Sequence, residues 1–266
     1  MPDVEHREAR SASLRVQLRV VHALLLREIN TRFGQYRFGY VWAVAEPITH
    51  VVVLSFIFGI RSRTAAEGVE FPIFLATGII PFVAFRNMVT RTMATVEANR
   101  ALYTYPQVRP FDTLIARFVL EVVIYSLVFV LFMVGAGWVG FDVAVQDPLV
   151  VLVVFLALGL LGLGVGALAC VLNDVLPDVA QMVPIILRPL YFISGIFFSV
   201  EVIPAEYRVW LLWNPVLHAL ELIRGHYFDA IEAHYGDPLY LAAWTFACLS
   251  FGLLTFHVYR NRLVAS

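Results

Sequence analysis

The sequence predicts an all-α integral membrane protein with six transmembrane helices, and three observations support this prediction. The composition is 60% hydrophobic and 15% charged with a mean hydropathy of +0.79, which is too apolar for an ordinary water-soluble globule. Six apolar runs are long enough to cross about 30 Å of hydrocarbon as helices. Arginines are concentrated in alternate segments between these runs, as in cytoplasmic loops.

The six predicted spans cover residues 38–60, 71–97, 111–139, 148–172, 179–199 and 238–259. The third, fourth and sixth are clear. The second and fifth are weaker because proline and arginine interrupt them. The interrupting residues are Pro81, Arg86 and Arg91 in the second span and Pro184, Arg188 and Pro189 in the fifth. Because an arginine at the bilayer centre costs about 2.5 to 3.5 kcal/mol, these arginines are expected to face the bundle interior or water.

The arginine distribution predicts the orientation of the chain. All 19 basic residues are arginine. Seven of them precede residue 38, Arg260 and Arg262 follow the last span, and Arg100, Arg109 and Arg117 surround the loop after the second span. The alternate loops hold Arg61, Arg63, Arg208 and Arg224. Twelve arginines against four place both termini in the cytoplasm.

Composition also argues against several classes of function. A net charge of -1 and a pI near 6.7 give no basic surface for nucleic acid. Without lysine, no phosphate-binding loop ending in Gly-Lys-Ser/Thr can form, so ATP and Mg²⁺ would bind to another polypeptide and no cofactor is expected here. Cys170 and Cys248 lie in apolar runs and are predicted to pack as small hydrophobes. The first 34 residues lack the pattern of a cleaved signal peptide.

An amphipathic helix over residues 12–34 is predicted before the first span. The apolar residues of this segment recur every three or four positions, and its arginines lie largely off that stripe. The stripe consists of Leu14, Leu18, Val21, Leu25 and Ile29. Such a helix suits the cytoplasmic headgroup layer, since it leads almost directly into a span. Packing on another subunit is the alternative.

The segment 27–47, REINTRFGQYRFGYVWAVAEP, resembles the entry segment of type-two ABC transporter permeases that export capsular polysaccharide from Gram-negative bacteria. The matching residues are Arg27, Glu28, Arg32, Phe33, Gly39, Trp42 and Pro47. The order of parts is similar across nearly the whole chain. The resemblance implies a homodimeric permease of the bacterial inner membrane that binds two copies of a separate ATPase and moves a lipid-linked polysaccharide. Periplasmic and outer-membrane export proteins are further possible partners.

The resemblance implies that residues 98–110 form a coupling helix, which lies on the cytoplasmic face and transmits closure of the ATPase. The expected contact residues are Arg100, Tyr103, Tyr105, Pro106 and Arg109. Two prolines limit the length of such a helix, and tyrosines are rigid anchors of the kind enriched at interfaces. The alternative is an ordinary cytoplasmic turn that merely obeys the positive-inside rule.

A re-entrant hairpin is predicted over residues 200–232. The segment from Val209 to Ile223 is apolar but breaks at Asn214-Pro215, so that each half is too short to span. Such backbone is tolerated at membrane depth only within protein or beside a water-filled cavity. The resemblance implies a periplasmic gate here, with Trp210, Trp213 and Asn214 as candidates, whereas tryptophans can equally be interfacial anchors.

A sugar path is expected to combine aromatic faces with a few charged groups, because pyranoses have apolar faces and hydroxylated rims. The candidates are Arg86, Tyr125, Arg188, Tyr191 and Phe192, with Phe82 and Phe85 as further aromatic candidates. Each aromatic residue can equally be ordinary packing. Arg86 and Arg188 can instead pair with Glu46 or Glu121. The glycines of the fourth span, Gly159, Gly162, Gly164 and Gly166, permit close helix approach within one subunit or at a dimer seam.

Other functions stay open at this point. Relatives of the resembled permeases export O-antigen, teichoic acid or drugs by the same fold. A membrane-embedded transferase acting on lipid-linked sugars would need clustered carboxylates or histidines, for which Asn173, Asp174 and Asp178 are the nearest set. An uncoupled channel or scaffold is the third class. The end of the chain directly after the last span, without a carbohydrate-binding domain, favours capsule export.

Overall fold

The computed structural model describes residues 2–33, 39–59, 64–66, 69–231 and 234–265. Part of the segment that carries the family resemblance, residues 34–38, therefore lies outside the described residues. The helices within the described residues are α1 (Pro2–Phe33), α2 (Gly39–Gly59), α3 (Phe71–Met93), α4 (Thr95–Asn99), α5 (Pro110–Val139), α6 (Pro148–Val175), α7 (Val179–Ile193), α8 (Ala205–Leu211), α9 (Pro215–Tyr227) and α10 (Pro238–Ala265). Two short 3-10 helices cover Arg100–Thr104 and Val200–Val202.

Four helices are long and apolar enough to cross a membrane. They are α3, α5, α6 and α10. Shorter apolar stretches lie in α2, over Val44–Phe58, and in α7, over Val179–Ile193. Each of these six elements coincides with a predicted span, so the predicted sequence of helices is confirmed, while the number that crosses the membrane stays a prediction.

Proline and glycine set the ends of several helices. α5, α6, α9 and α10 each begin at a proline, whose missing N–H and fixed φ suit the first helical turn. α5 ends at Val139, and the next residue, Gly140, has φ of +103°, a left-handed conformation that favours glycine. These helix boundaries follow from the chain itself.

The central helix of the bundle is α3. Its side chains from Ile73 to Val83 are all buried, and it packs against α2, α5, α6, α7 and α9. A helix that is apolar all round is typical of the middle of a bundle. Because lipid is as apolar as leucine, shape complementarity rather than exclusion of water holds such helices together.

Glycines of α6 let two neighbours approach its backbone. A Cβ on Gly166 would lie 2.6 Å from Cβ of Thr92 in α3, and a Cβ on Gly164 would lie 2.5 Å from the backbone of Cys248 and Leu249 in α10. Packing within one subunit, one of the two predicted roles of these glycines, is therefore confirmed for Gly164 and Gly166. Cys170 and Cys248 are free thiols.

Two sequence-based boundaries are wrong. Helices α3 and α7 continue through Pro81, Pro184 and Pro189, as the predicted spans do, but both end earlier than predicted. The predicted fifth span reaches residue 199, but α7 ends at Ile193, and Gly195 turns the chain with φ of +75°. The predicted second span reaches residue 97, but α3 ends at Met93 and α4 follows after Ala94.

Two further features differ from the prediction. A small antiparallel pair, β1 (Thr64–Ala66) and β2 (Val69–Glu70), precedes α3 and was not predicted, although the fold class is all-α as predicted. Helix α1 begins at Pro2 rather than at residue 12, because residues 3–11 contain no glycine or further proline to stop it. Of the predicted apolar stripe, Leu18 is exposed and Val21 is half-buried.

Candidate functional site

A cavity of about 400 Å³ opens to the surface between α2, α3 and α7. We call it the arginine groove. Its lining includes four residues predicted to form a sugar path and one of the further aromatic candidates. These are Arg86, Arg188, Tyr191, Phe192 and Phe82. The structure therefore brings together residues that lie about 100 positions apart in the sequence.

The two arginines of the groove differ in their partners. Arg86 lies 3.3 Å from Glu46, and both side chains of this pair are partly exposed, at 35% and 66%. Arg188 is exposed and has no ion pair among the described residues. An exposed ion pair contributes at most about 1 kcal/mol, so an anionic ligand can displace Glu46 at small cost. The groove thus offers two guanidinium groups to a ligand.

Aromatic rings form one wall of the groove. The Tyr191 ring lies 5.2 Å from that of Phe82 and 5.4 Å from that of Phe192, in each case edge to face. The same ring stacks on His50 at 5.5 Å, and the Tyr191 hydroxyl is 3.0 Å from His50 Nε2. These contacts fix the orientation of Tyr191, which leaves a rigid, partly polar surface beside the arginines.

Two of the predicted path residues have other positions. Tyr125 does not line the groove: its side chain is 2% exposed, and its hydroxyl accepts a hydrogen bond from Asn87, which does line it. Phe85 is buried and packs against Phe82. Tyr125 therefore supports the wall from behind.

Sequence reasoning missed three polar groove residues, His50, Asn87 and Thr90. A usable signal was present. His50 follows Glu46 by four positions, and Thr90 follows Arg86 by four, so each pair shares one helix face. Polar residues at this spacing on otherwise apolar helices indicate a common polar surface.

The predicted coupling helix at residues 98–110 is shorter than expected. α4 ends at Asn99, the 3-10 helix covers Arg100–Thr104, and the chain then turns until α5 begins at Pro110. Pro106 and Arg109 therefore lie outside a helix. The helix stops because the residue before a proline is disfavoured in helical conformation, and Tyr105 has φ -87° and ψ 121°.

The two tyrosines of this segment point in different directions. Tyr105 is 60% exposed. Tyr103 packs into the interior, with its hydroxyl 2.9 Å from Oγ1 of Thr113. Burial raises the pKa of Tyr103 to about 12, although the hydrogen bond to Thr113 acts in the opposite direction. Tyr103 thus anchors the segment to α5, whereas the other four expected contact residues, Arg100, Tyr105, Pro106 and Arg109, are exposed.

An ion network joins α1 to α3 and α5 beside this segment. Glu121 of α5 is 2% exposed and lies 2.6 Å from Arg32 and 3.2 Å from Arg91. Arg117 of α5 lies 2.6 Å from Glu28 and also donates to the carbonyl oxygen of Arg91. The predicted pairing of Glu121 with Arg86 or Arg188 is wrong, because α1 and the end of α3 supply its partners.

The network reaches the coupling segment through Arg27. Its Nη1 donates a hydrogen bond of 2.7 Å to Oδ1 of Asn99, the residue before the 3-10 helix. The inward face of α1 therefore carries polar contacts beside the buried Leu24 and Phe33, whereas the sequence suggested that the arginines of α1 meet solvent or headgroups. Arg117 and Arg224 are buried in helices, so neither counts as a loop arginine. The number of arginines falls by one on each predicted side, and the predicted cytoplasmic side keeps the larger number.

The region of the predicted hairpin contains two helices with a break between them. α8 ends at Leu211 and α9 begins at Pro215. Asn214 caps α9: its Oδ1 accepts from the Val216 N–H at 3.0 Å, and its Nδ2 donates to Ser194 Oγ at 2.9 Å. The break at Asn214-Pro215 is confirmed. Trp210 and Trp213 are exposed. The last residue of the predicted hairpin, position 232, lies outside the described residues.

A buried arginine that the sequence did not single out holds this region in place. Arg224 of α9 is fully buried and donates to the carbonyl oxygens of Gly195, Ile196 and Phe198 at 2.5, 2.8 and 3.3 Å. Its guanidinium lies 3.7 Å from the centre of the Phe74 ring. These contacts satisfy backbone carbonyl groups of the turn that follows α7.

Of the residues considered for transferase chemistry, Asp174 is engaged in an ion pair with Arg262 at 3.2 Å. His218, in the region of the predicted hairpin, is held by the Leu212 carbonyl and the Asp237 N–H. Across the part of the chain that the structure describes, no three His, Cys, Asp or Glu side chains converge as metal ligands.

Comparison with known proteins gives concordant matches. The profile of the family described as ABC-2 type transporter matches residues 19–228. The polysialic acid transport protein KpsM of Escherichia coli is 37% identical over 251 residues, which cover 94% of this chain and 97% of that protein. The capsule polysaccharide export inner-membrane protein CtrC of Neisseria meningitidis serogroup B is 28% identical over 93% of this chain and 94% of its own length. BexB of Haemophilus influenzae, described in the same words, is 29% identical over 91% of each chain.

Proposed function

This chain belongs to the ABC-2 type transporter family, and on that premise we propose that it is the permease subunit of a capsular polysaccharide exporter of the bacterial inner membrane. The observation that carries the proposal is the 37% identity to a polysialic acid transport protein across 94% of the chain. The lipid-linked polysaccharide is the substrate, six helices span the membrane, and both termini face the cytoplasm.

The arginine groove supports a role in passing sugar. Guanidinium groups bind carboxylates in a planar, charge-assisted geometry, and the Tyr191 wall provides apolar contact for a sugar face. Because both arginines are accessible and only Arg86 has a carboxylate partner among the described residues, each contact can form and release repeatedly. Weak, repeated contacts let a long polymer advance.

A second copy of the chain completes this groove. The exposed sides of α2 and α7 carry large apolar side chains, including Phe56, Ile185 and Ile186. These sides adjoin the groove, so a partner subunit placed there covers the apolar surface and encloses the path. This arrangement supports a homodimer around a shared channel.

Energy comes from two copies of a separate ATPase, because the chain has no lysine for a phosphate-binding loop. The segment 98–110 docks in the ATPase through its exposed residues. Tyr105 and Pro106 project outward, while Tyr103, Asn99 and the α1 ion network fix the base of the segment. A rigid base lets closure of the ATPase move α3 and α5 together.

Complementation tests the function. The chain and its own ATPase are expressed in a capsule-producing strain that lacks its permease, and polysaccharide at the cell surface is measured. Restored export is expected. Arg188→Gln is expected to lower export at least about tenfold, since a hydrogen bond to a charged group contributes about 1.5 to 3 kcal/mol. Arg19→Gln removes an exposed arginine outside the groove and should leave export unchanged.

The two parts of the proposal fail differently. If the unmodified chain with its ATPase exports no polysaccharide, the function is wrong. If export is restored and Arg188→Gln equals Arg19→Gln, the function stands and the groove is not the path.

The coupling role has its own test. Tyr105→Ala with Pro106→Ala should abolish export while the protein still inserts at the normal level. The matched control is Gln107→Ala, an exposed residue in the same turn. Affinity purification in mild detergent should recover the ATPase with the control and lose it with the double variant. Normal export by the double variant contradicts the assignment.

A further inference from the structure

A second large cavity lies where α1, the start of α5 and the end of α10 meet. Its volume is about 930 Å³. We call it the terminal cavity. It shares no lining residue with the arginine groove, and its residues belong to the end of the bundle that the arginine distribution assigns to the cytoplasm.

The terminal cavity is cationic. Arg109 and Arg260 line it, and neither has an acidic partner among the described residues. Among the described residues, the guanidinium of Arg260 is hydrogen-bonded to the imidazole of His257, with its Nη1 3.1 Å from Nδ1. His257 also lines the cavity. Two arginines without carboxylate partners on one surface attract an anion.

Asp112, three positions after Arg109, forms no ion pair with Arg109 or Arg260 among the described residues. Asp112 is 1% exposed. Its Oδ1 accepts from Nε2 of Gln17 at 2.9 Å, and its Oδ2 accepts from the Arg109 backbone N–H at 3.0 Å. Both carboxylate oxygens are therefore engaged in holding α1 and the first turn of α5.

One wall of the cavity is apolar. Ile115 is 43% exposed there. The ring of Phe111 is fixed by edge-to-face contacts with Phe256 at 5.8 Å and with His257 at 6.4 Å. The volume far exceeds that of a phosphate ion. Cations beside a lipid-facing apolar wall at the end of the helices match a phospholipid, whose phosphate lies at the surface and whose chains run along the bundle.

We propose that the terminal cavity binds an anionic membrane phospholipid. The headgroup phosphate lies between Arg109 and Arg260, and an acyl chain runs along Phe111 and Ile115. Because the cavity is bounded by α1, α5 and α10 together, the bound lipid fastens α1 to the bundle. This site is separate from the polysaccharide path.

Native mass spectrometry of the purified full-length chain tests the proposal without any transport assay. Phosphatidylglycerol is titrated against phosphatidylcholine of the same acyl composition and against inorganic phosphate. Retention of phosphatidylglycerol is expected. A surface arginine contributes about a factor of five to binding of anionic lipid, so Arg260→Gln should weaken binding about fivefold and Arg109→Gln with Arg260→Gln about thirtyfold.

Two variants control the measurement. Arg262→Gln removes an arginine two positions away that already pairs with Asp174, and its binding should stay within about twofold. Arg260→Lys keeps the charge and should retain most of the affinity. Unchanged binding by the double variant, or equal retention of phosphatidylcholine, overturns the site. If inorganic phosphate saturates the terminal cavity as well as phosphatidylglycerol does, the ligand is free phosphate and not a phospholipid.

Discussion

Glu121 joins three helices at the end of the bundle that adjoins segment 98–110. It is almost completely buried, yet it is charged, and its compensation comes from Arg32 of α1 and Arg91 of α3. A buried charge is tolerated when paired and is costly when its partner is removed. One carboxylate thus joins three helices, including the one that leads into the coupling segment.

Glu121→Gln should lower the free energy of unfolding by about 3 kcal/mol, because it leaves the largely buried Arg32 without a counter-charge. Arg91 contributes less to this loss, since it is 38% exposed and water can solvate it. Equilibrium unfolding in mixed detergent micelles measures the change.

Glu46→Gln provides the matched control for Glu121→Gln. It removes the carboxylate of a pair in which both partners are accessible to solvent, so its cost should stay below about 1 kcal/mol. If both variants unfold alike, the buried network does not carry the stability assigned to it.

The residues that line the arginine groove were easier to predict from the sequence than the residues that hold the neighbouring segments in place. Arg86, Arg188, Tyr191 and Phe192 were predictable because charge and aromatic rings on apolar helices indicate a polar surface. The clamp at Arg224 was not, because the partners that place it against the turn after α7 are three backbone carbonyls, which leave no pattern in the sequence. The inward direction of Tyr103 likewise depends on a tertiary contact with α5.

At the scale of the helices, the backbone contact of α6 with α10 depends on glycine. Gly164→Ala places a methyl group 2.5 Å from the α10 backbone, so the helices must separate. Overpacking of this kind costs about 1 to 3 kcal/mol. The melting temperature of the purified protein should fall accordingly.

Gly135→Ala is the control for Gly164→Ala. Gly135 also lies inside a helix, but its added methyl group would meet nothing within 4 Å. Alanine is the better helix former by up to about 1 kcal/mol, so this variant should melt at the same or a higher temperature. Equal destabilisation of both variants contradicts the close-packing argument.

The helix order was predictable from apolar runs, and several starts were predictable from proline. The end of α7 was not. Its apolar run continues beyond Ile193, but 15 helical residues extend only about 22 Å, and the chain turns at Gly195 because Arg224 binds the carbonyls that follow. Hydropathy cannot register such a contact.

For the whole molecule, the central question is which side of the membrane each loop faces. Helix α6 has 28 residues and is about 42 Å long, which exceeds the hydrocarbon thickness of about 30 Å. We therefore predict that α6 crosses the membrane and that the loops at its two ends lie on opposite sides. The arginine distribution assigns the loop before α6 to the periplasm and the loop after it to the cytoplasm.

Cysteine labelling tests this orientation in a variant from which Cys170 and Cys248 have been removed. Gln146→Cys lies in the loop before α6, and Leu176→Cys lies in the loop after it; both positions are exposed. A membrane-impermeant maleimide should label Gln146→Cys in intact spheroplasts and Leu176→Cys only after lysis. The reverse result would place the termini, the coupling segment and the terminal cavity outside the cytoplasm, where no ATPase can reach them. Labelling of both in intact cells would show that α6 does not span.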